Sequence, residues 1–295
     1  MYNLIIDTDL GNDCDDAAAV ALACSYAKQG KANILCFTVN TSDKYAADCI
    51  DAIGSVYGFS AEVGVYKGNL FPQNEHSYCE KVADRFSSKQ GKFREEAVAL
   101  LRKKLSQAPD KSVKAVFIGQ LNNLRALLES GADEFGEQGV TLYERKVVET
   151  VIMGGMFGSQ ETTFEGQPYT AEYNIKMAVE DSQKAISLLP TKTAFIDFLL
   201  GVDVLTLGKL VKREQTDPVG YAYKLFCGGD RPSWDILAVL YALEEECGLF
   251  EKSPYGQVTI NSLGQTFFKA GKGLHTILKS AGEKSAIAKA IEERF

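Results

Sequence analysis

Five aspartates fall within ten residues near the start of the chain: Asp7, Asp9, Asp13, Asp15 and Asp16. They stand in the run Leu4-Ile5-Ile6-Asp7-Thr8-Asp9-Leu10-Gly11-Asn12-Asp13-Cys14-Asp15-Asp16-Ala17. One or two acids at a helix start are explained by capping and by the helix dipole. Five are not, because like charges this close repel unless something positive sits among them. A hard divalent cation such as Ca²⁺ or Mg²⁺, held by carboxylate oxygens, removes the conflict. The spacing is not that of an EF-hand loop, which closes on a glutamate. A purely structural turn is the competing reading.

These residues need a scaffold, and the rest of the chain describes one. Short apolar or β-branched runs predict strands at Leu4–Ile6, Ile34–Val39, Glu62–Val65, Lys114–Ile118, Val148–Met153 and Thr193–Ile196. Several are near-continuous apolar runs, as strands buried on both faces should be. Helical patterns lie between them at Asp15–Lys28, Lys44–Tyr57, Phe93–Ser106, Asn123–Ser130 and Glu180–Leu189. The alternation predicts an α/β fold with a mostly parallel sheet flanked by helices. The C-terminal third reads as additional helices, at Asp203–Lys212, Pro218–Phe226, Trp234–Leu243 and Thr276–Glu292, with a short strand pair near Gln257–Ile260 and Thr266–Phe268. No Pro/Ser-rich linker or charge block divides the chain, so residues 1–295 are expected to form one domain. Gly68–Ser77 and Gly158–Thr170 read as polar, Gly-containing loops after strands, where open α/β sheets build their sites.

The bulk numbers exclude some functions. The net charge is −7 and no long Lys/Arg cluster occurs. A nucleic-acid backbone or an anionic membrane surface would need a basic face. The first residues lack the pattern of a signal peptide, and no apolar run is long enough to span a bilayer. The seven cysteines, Cys14, Cys24, Cys36, Cys49, Cys79, Cys227 and Cys247, form no CxxC pair. They are expected to be small buried hydrophobes in a reducing, cytoplasmic setting.

Several segments together resemble the nucleoside hydrolases of inosine–uridine type. Asp7-Thr8-Asp9 with Gly11 and Asp15-Asp16-Ala17 is similar to that family's N-terminal fingerprint. Gly119-Gln120-Leu121-Asn122-Asn123 resembles its Gly-Pro-Leu-Thr-Asn segment, and Met153-Gly154-Gly155 its Met-Gly-Gly strand end. Ala171-Glu172-Tyr173-Asn174 resembles its Ala-Glu-Phe-Asn segment, and Ser233-Trp234-Asp235 stands where the last metal-ligand Asp belongs. The resemblance implies a Rossmann-like fold, usually a homodimer or homotetramer, one Ca²⁺, and hydrolysis of the N-glycosidic bond of a small-molecule nucleoside, with salvage as the setting. It implies Asp9, Asp16, the main-chain carbonyl of Asn122 and Asp235 as metal ligands. Asp9 would also be the general base on water, Asp15 would bond the ribose, and Glu172 and Asn174 would hold its hydroxyls. Asp7 would support the ligands from behind. Such cleavage passes through an oxocarbenium-like sugar, which carboxylates stabilise.

Three departures bear on mechanism. Asp13 and Cys14 lengthen the acidic loop, leaving open whether Asp13 or Asp15 meets the ribose. The strand end Thr38-Val39-Asn40 lacks the usual Gly-Asn, which leaves Asn40 as the candidate ribose ligand. Trp234 replaces the histidine that acts on the leaving base. The chain has two histidines, His76 and His275. His76, in the first loop, is the candidate to close over the base, and His275 reads as structural. Trp234 is expected to stack on the base, with core packing as its bland alternative; Tyr221 and Tyr223 are further candidates. Glu172 and Asn174 also read as a helix-entry cap, and Asn122 as a cap for the helix after it. Two other functions stay open: a metal- and ribose-binding regulatory protein without turnover, and a Mg²⁺-dependent phosphatase, for which the second acidic strand end is missing.

Overall fold

The computed structural model describes residues 2–68, 77–86, 93–159 and 161–295. Its strands are β1 (Asn3–Thr8), β2 (Asn33–Val39), β3 (Glu62–Val65), β4 (Val113–Phe117), β5 (Val147–Met153), β6 (Thr162–Phe164), β7 (Gln167–Tyr169), β8 (Lys192–Ile196), β9 (Leu205–Thr206), β10 (Arg231–Pro232), β11 (Phe250–Lys252), β12 (Gly256–Ile260), β13 (Thr266–Ala270) and β14 (His275–Ser280). Its helices are α1 (Asp15–Lys28), α2 (Ala46–Tyr57), α3 (Cys79–Phe86), α4 (Ala97–Gln107), α5 (Asn122–Glu129), α6 (Gly139–Lys146), α7 (Tyr173–Met177), α8 (Val179–Leu188), α9 (Phe198–Gly201), α10 (Pro218–Phe226), α11 (Asp235–Leu243) and α12 (Lys284–Glu292).

The main sheet runs β13-β12-β14-β8-β5-β4-β1-β2-β3. From β14 to β3 every neighbouring pair is parallel, and β11, β12 and β13 join antiparallel at one side. This is the α/β fold read from the alternation. The chain reverses its direction of winding between β1 and β4, and a crevice at such a reversal is where open α/β sheets bind ligands.

Side chains alternate along each strand between two cores. Leu4 and Ile6, Val116 and Ile118, Val151 and Met153 pack on one face. Ile5, Phe117, Ile152 and Phe195 pack on the other. That period of two follows from strand geometry. Helix α1 is buried along most of its length. Its alanine-rich turns let it lie close against α2 and α11, so its acidic first turn is carried inside the protein.

Two expectations in the C-terminal third are corrected. Asp203–Lys212 is not a helix: it holds the short β9 and a 3-10 turn, Gly208–Arg213, entered through Leu207 at φ 69°. Thr276–Glu292 is two elements, because His275–Ser280 pairs in parallel with β8 before α12 begins. The run Thr276-Ile277-Leu278 satisfies a strand edge as well as a helix face, and only the vacant flank of β8 decides between them. Within Gly158–Thr170, residues 162–169 form a β-hairpin, β6–β7, turned at Glu165 and Gly166, both at positive φ. Of Gly68–Ser77, residues 69–76 lie outside the described residues, His76 among them. Among the described residues, no helix is long and apolar enough to cross a membrane.

Candidate active site

Backbone turns at the C-terminal ends of β1, β4, β5 and β8 surround a cavity of about 750 Å³. Its floor is acidic. Asp15, Asp16 and Asp235 each offer a carboxylate oxygen, and these atoms lie within 4.8 Å of one another. All three are buried. Asp16 accepts the Thr8 hydroxyl. Asp15 Oδ2 accepts the backbone N–H groups of Trp234 at 2.8 Å and Asp235 at 2.9 Å, fastening the start of α11 to the start of α1. Asp9 Oδ2 accepts Asn12 Nδ2 at 2.9 Å and Gln120 Nε2 at 2.8 Å.

The electrostatics of the floor are those of crowded, buried anions. Burial, then the charges of Asp9 and Asp15, pushes Asp16 well above the carboxylate range. Burial, then Asp15 and Asp16, does the same to Asp235. Asp15 is pushed up to about 7 by burial and the charge of Asp13, against the helix N–H groups and Arg231. Asp9 is raised by burial, against its Asn12 and Gln120 donors. Hard oxygen donors clustered at this spacing, without a neutralising lysine or arginine among the three, suit a hard divalent cation. The residues present therefore fit the metal that the acidic run implied.

Asp7 lies behind the floor. Its carboxylate accepts Thr38 Oγ1 at 2.5 Å, Asn123 Nδ2 at 2.6 Å and Asn40 Nδ2 at 2.9 Å. Burial still raises it to about 7. Asn40 Nδ2 also donates to the Gln120 carbonyl at 2.6 Å, so this amide ties β2 to the β4 turn. Gly119 is required there, since a Cβ would come within 2.7 Å of the Asp9 nitrogen.

Glu172 and Asn174 stand on one wall. Glu172 caps α7, accepting the N–H groups of Asn174 at 2.7 Å, Ile175 at 3.1 Å and Gly155 at 3.2 Å. Burial raises it to about 7 against those donors. Asn174 Nδ2 donates to the carbonyls of Ile118 and Met153, each at 3.3 Å. The cap and the cavity wall are thus the same residues.

The far end is aromatic. Trp234 stacks on Phe198 with ring centroids 5.3 Å apart, and Phe198 stacks on Tyr169 at 4.4 Å. Phe164 of the hairpin meets Trp234 edge-on at 5.6 Å. Trp234 Nε1 donates to the Phe198 carbonyl at 2.9 Å, and the indole is 7 % exposed. It is packed into the core and also lines the cavity. Arg231 reaches over these rings, paired with Asp13 at 2.6 Å and with Glu165 at 2.5 Å.

Of the residues singled out from the sequence, Asp9, Asp15, Asp16, Glu172, Asn174, Trp234 and Asp235 line this one cavity. Asn40 does not: its side chain is spent on Asp7 and Gln120. Asn122 is the first residue of α5 and lines a separate cavity with Arg125 and Glu129, not this one. Tyr221 and Tyr223 do not line the site; Tyr221 packs against Phe86 and Arg85. His275 is structural, its Nδ1 accepting the Val258 N–H at 2.9 Å. The cysteines divide. Five are buried, but Cys247 is half-buried, and Cys227 is exposed on the cavity wall with its Sγ 4.0 Å from that of Cys14. The Cys14 contact lowers the Cys227 thiol to about 7. Sequence reasoning missed Gln120, Arg231 and the hairpin aromatics. Gln120 stands where the resembled motif has proline, and that departure was the available signal. Nothing in the sequence spacing pointed to Arg231.

The sequence matches the family described as Inosine-uridine preferring nucleoside hydrolase over residues 4–293. No curated protein matches it. Among solved structures it is similar to an inosine-uridine preferring nucleoside hydrolase from Bacillus anthracis, at 15% identity and TM-score 0.75, with 100% of each chain covered. It is similar to an inosine-guanosine nucleoside hydrolase at 19% identity and TM-score 0.75, covering 100% of this chain and 98% of that one. It also resembles the type III effector protein XopQ, complexed with adenosine diphosphate ribose, at 15% identity and TM-score 0.64, covering 98% and 93%.

Proposed function

The chain belongs to the inosine-uridine preferring nucleoside hydrolase family and is a hydrolase acting on N-glycosyl compounds; from that premise we propose that it cleaves ribonucleosides to free base and ribose, using Asp9 as general base. One observation carries the reading. A buried acidic floor, a Glu/Asn wall and an aromatic end converge on one cavity at the strand ends around β1 and β4. Water attack at the anomeric carbon needs a base, a place for the sugar hydroxyls and a place for a planar leaving group, and the three zones correspond to these.

In this reading Asp9, Asp16 and Asp235 would hold a calcium ion, with Asp15 beside Asp16 and Asp235 in the same cluster and the Asn122 carbonyl added only because the family resemblance implies it. A hard divalent cation held there would supply Lewis acidity that lowers the pKa of water and a grip on the ribose diol. Asp9 presents Oδ2 to Asn12 and Gln120, which fixes the carboxylate plane and leaves its other oxygen to take the proton of the attacking water. Asp15 keeps one oxygen on α11 and has the second for a ribose hydroxyl. Glu172 and Asn174, locked by the α7 cap, hold the remaining hydroxyls. The carboxylates favour the oxocarbenium-like sugar as the bond lengthens. Trp234 and Phe164 enclose the base, and the protein acts as a homo-oligomer.

The test is ribose release from a panel of purine and pyrimidine ribosides, with Ca²⁺ and with chelator, for wild type and Asp9→Ala. Metal-dependent release that vanishes in the variant supports the reading. A second reading is favoured by a single observation: among the described residues, no histidine lines the cavity. The protein would then bind a riboside without turning it over. Unchanged ribosides in that assay, together with a melting temperature raised by Ca²⁺ and by adenosine diphosphate ribose, would favour it.

A further inference from the structure

Cleavage of an N-glycosidic bond leaves an electron pair on a ring nitrogen, and something at the base end has to accept that charge. Among the described residues lining the cavity, Arg231 is the only lysine, arginine or histidine. Its guanidinium carbon lies 5.3 Å from the Phe226 ring centre, 5.6 Å from that of Phe164 and 5.8 Å from that of Trp234. It therefore stands between the aromatic end and the acidic loop, where its charge also reaches Asp15. Its orientation is held from two sides. Nε donates to Asp13 Oδ1 and Oδ2, each at 3.0 Å, and Nη2 to Asp13 Oδ2 at 2.6 Å. Nη1 donates to Glu165 Oε1 at 2.5 Å. A guanidinium has five N–H donors, so one N–H on each terminal nitrogen is unspent.

We propose that Arg231 is the leaving-group residue: its two free N–H groups bind the departing base and stabilise it as an anion. This rests on the nucleoside hydrolase reading. The C1′–N bond breaks and its electron pair stays on the base nitrogen. The water oxygen bonds to C1′ and gives its proton to Asp9. Asp9 returns that proton to solvent, and the released base takes one from solvent. Arginine stays charged at working pH, so it acts by hydrogen bonding and charge, without transferring a proton. The longer acidic loop then has a purpose, because Asp13 is the residue that orients Arg231. The Tyr169 and Tyr173 hydroxyls and the Cys227 thiol also line the cavity; burial raises the two phenols while the thiol is lowered to about 7, which makes Cys227 the rival donor.

The two can be separated by leaving-group chemistry. p-Nitrophenyl β-D-ribofuranoside releases a phenolate stable without assistance, whereas a purine riboside does not. Both substrates are assayed with wild type, Arg231→Gln, Arg231→Lys, Glu165→Gln and Cys227→Ala. Loss of one preorganised donor costs on the order of 10²-fold in kcat. The expected result is a loss of that size for Arg231→Gln on the purine riboside, with the p-nitrophenyl substrate changed less than about threefold. Arg231→Lys, which keeps the charge and loses the fork, should fall between and serves if the glutamine variant does not fold. Glu165→Gln removes the charge from one of the two holds and leaves Asp13 in place, so it should lower purine riboside cleavage less than Arg231→Lys does. Equal losses on both substrates in Arg231→Gln and Arg231→Lys would overturn the proposal and make the residue a hairpin tie. So would a selective loss in Cys227→Ala with Arg231→Gln unaffected. Wild-type protein inert toward both substrates would overturn the hydrolase reading, and the role of Arg231 with it.

Discussion

The two ends of the cavity are built differently. The acidic floor comes from backbone turns at strand ends, and its side chains are locked by buried hydrogen bonds: Thr38, Asn40 and Asn123 on Asp7, Gln120 on Asp9, and the α11 amides on Asp15. The aromatic end comes from the β6–β7 hairpin, α9, α10 and the residues before α11, joined by ring contacts and a partly exposed ion-pair bridge. The floor holds charge that burial opposes, so it needs a rigid frame to keep it there. The aromatic end holds mostly apolar surface, which packs without direction and tolerates exchange. In the proposed mechanism the bond-breaking chemistry sits on the first kind of support and the handling of the leaving group on the second.

The largest expected effect is on the floor. Asp235→Asn should lower kcat by about 10³-fold, within the range of lost general-base and electrostatic groups. It should also abolish the rise in melting temperature with Ca²⁺ while raising that temperature in chelator, because it removes one of several repelling carboxylates. A variant less stable than wild type in chelator would show that the floor is not under electrostatic strain, and the contrast between the two ends would fail.

Next comes pH. Asp7, Asp15 and Glu172 are each raised by burial to about 7. Between the ordinary carboxylate range and that value they are protonated in the fold and ionised in the unfolded chain. Stability of metal-free protein should therefore be highest near pH 4 to 5 and fall as pH rises to about 7, with no further loss from these groups above it. Ca²⁺ should flatten the fall, since the ion binds the ionised floor. Melting curves across pH with and without chelator check this, and a metal-free profile that rises toward pH 7 would contradict it.

A smaller effect separates two roles for Asn40. Asn40→Ala strips one donor from Asp7 and leaves the Gln120 carbonyl unpaired, which costs about 1–3 kcal/mol of stability. KM should be unchanged. A raised KM with an unchanged melting temperature would instead put Asn40 on the ribose.

At the aromatic end the changes should be milder. Trp234→Phe keeps a ring on Phe198 but loses the Nε1 bond to its carbonyl, for about 1 kcal/mol of stability and a few-fold rise in KM. Glu165→Gln breaks a pair whose glutamate is largely exposed, and its stability effect should stay below about 1 kcal/mol. Calorimetry that found either substitution as damaging as Asn40→Ala would mean that the hairpin is part of the frame.

What was legible in the sequence follows the same division. The central strands and the first helix could be read because periodicity and an acidic first turn are local signals; α1 begins and ends as expected, at Asp15 and Lys28. The floor could be read because Asp9, Asp15 and Asp16 are neighbours in sequence and their charges conflict without a cation. Asp235, Glu172 and Asn174 were found only through segments resembling a family. The strand β14 was misread because its apolar run suits either structure until β8 offers a partner. Arg231 was invisible, since its meaning comes from Asp13 and Glu165, which lie 218 and 66 residues away. Local spacing determines which elements form and where charge is crowded. Only the tertiary structure decides which distant side chains meet, because contact between them depends on how the sheet and its helices close around the cavity.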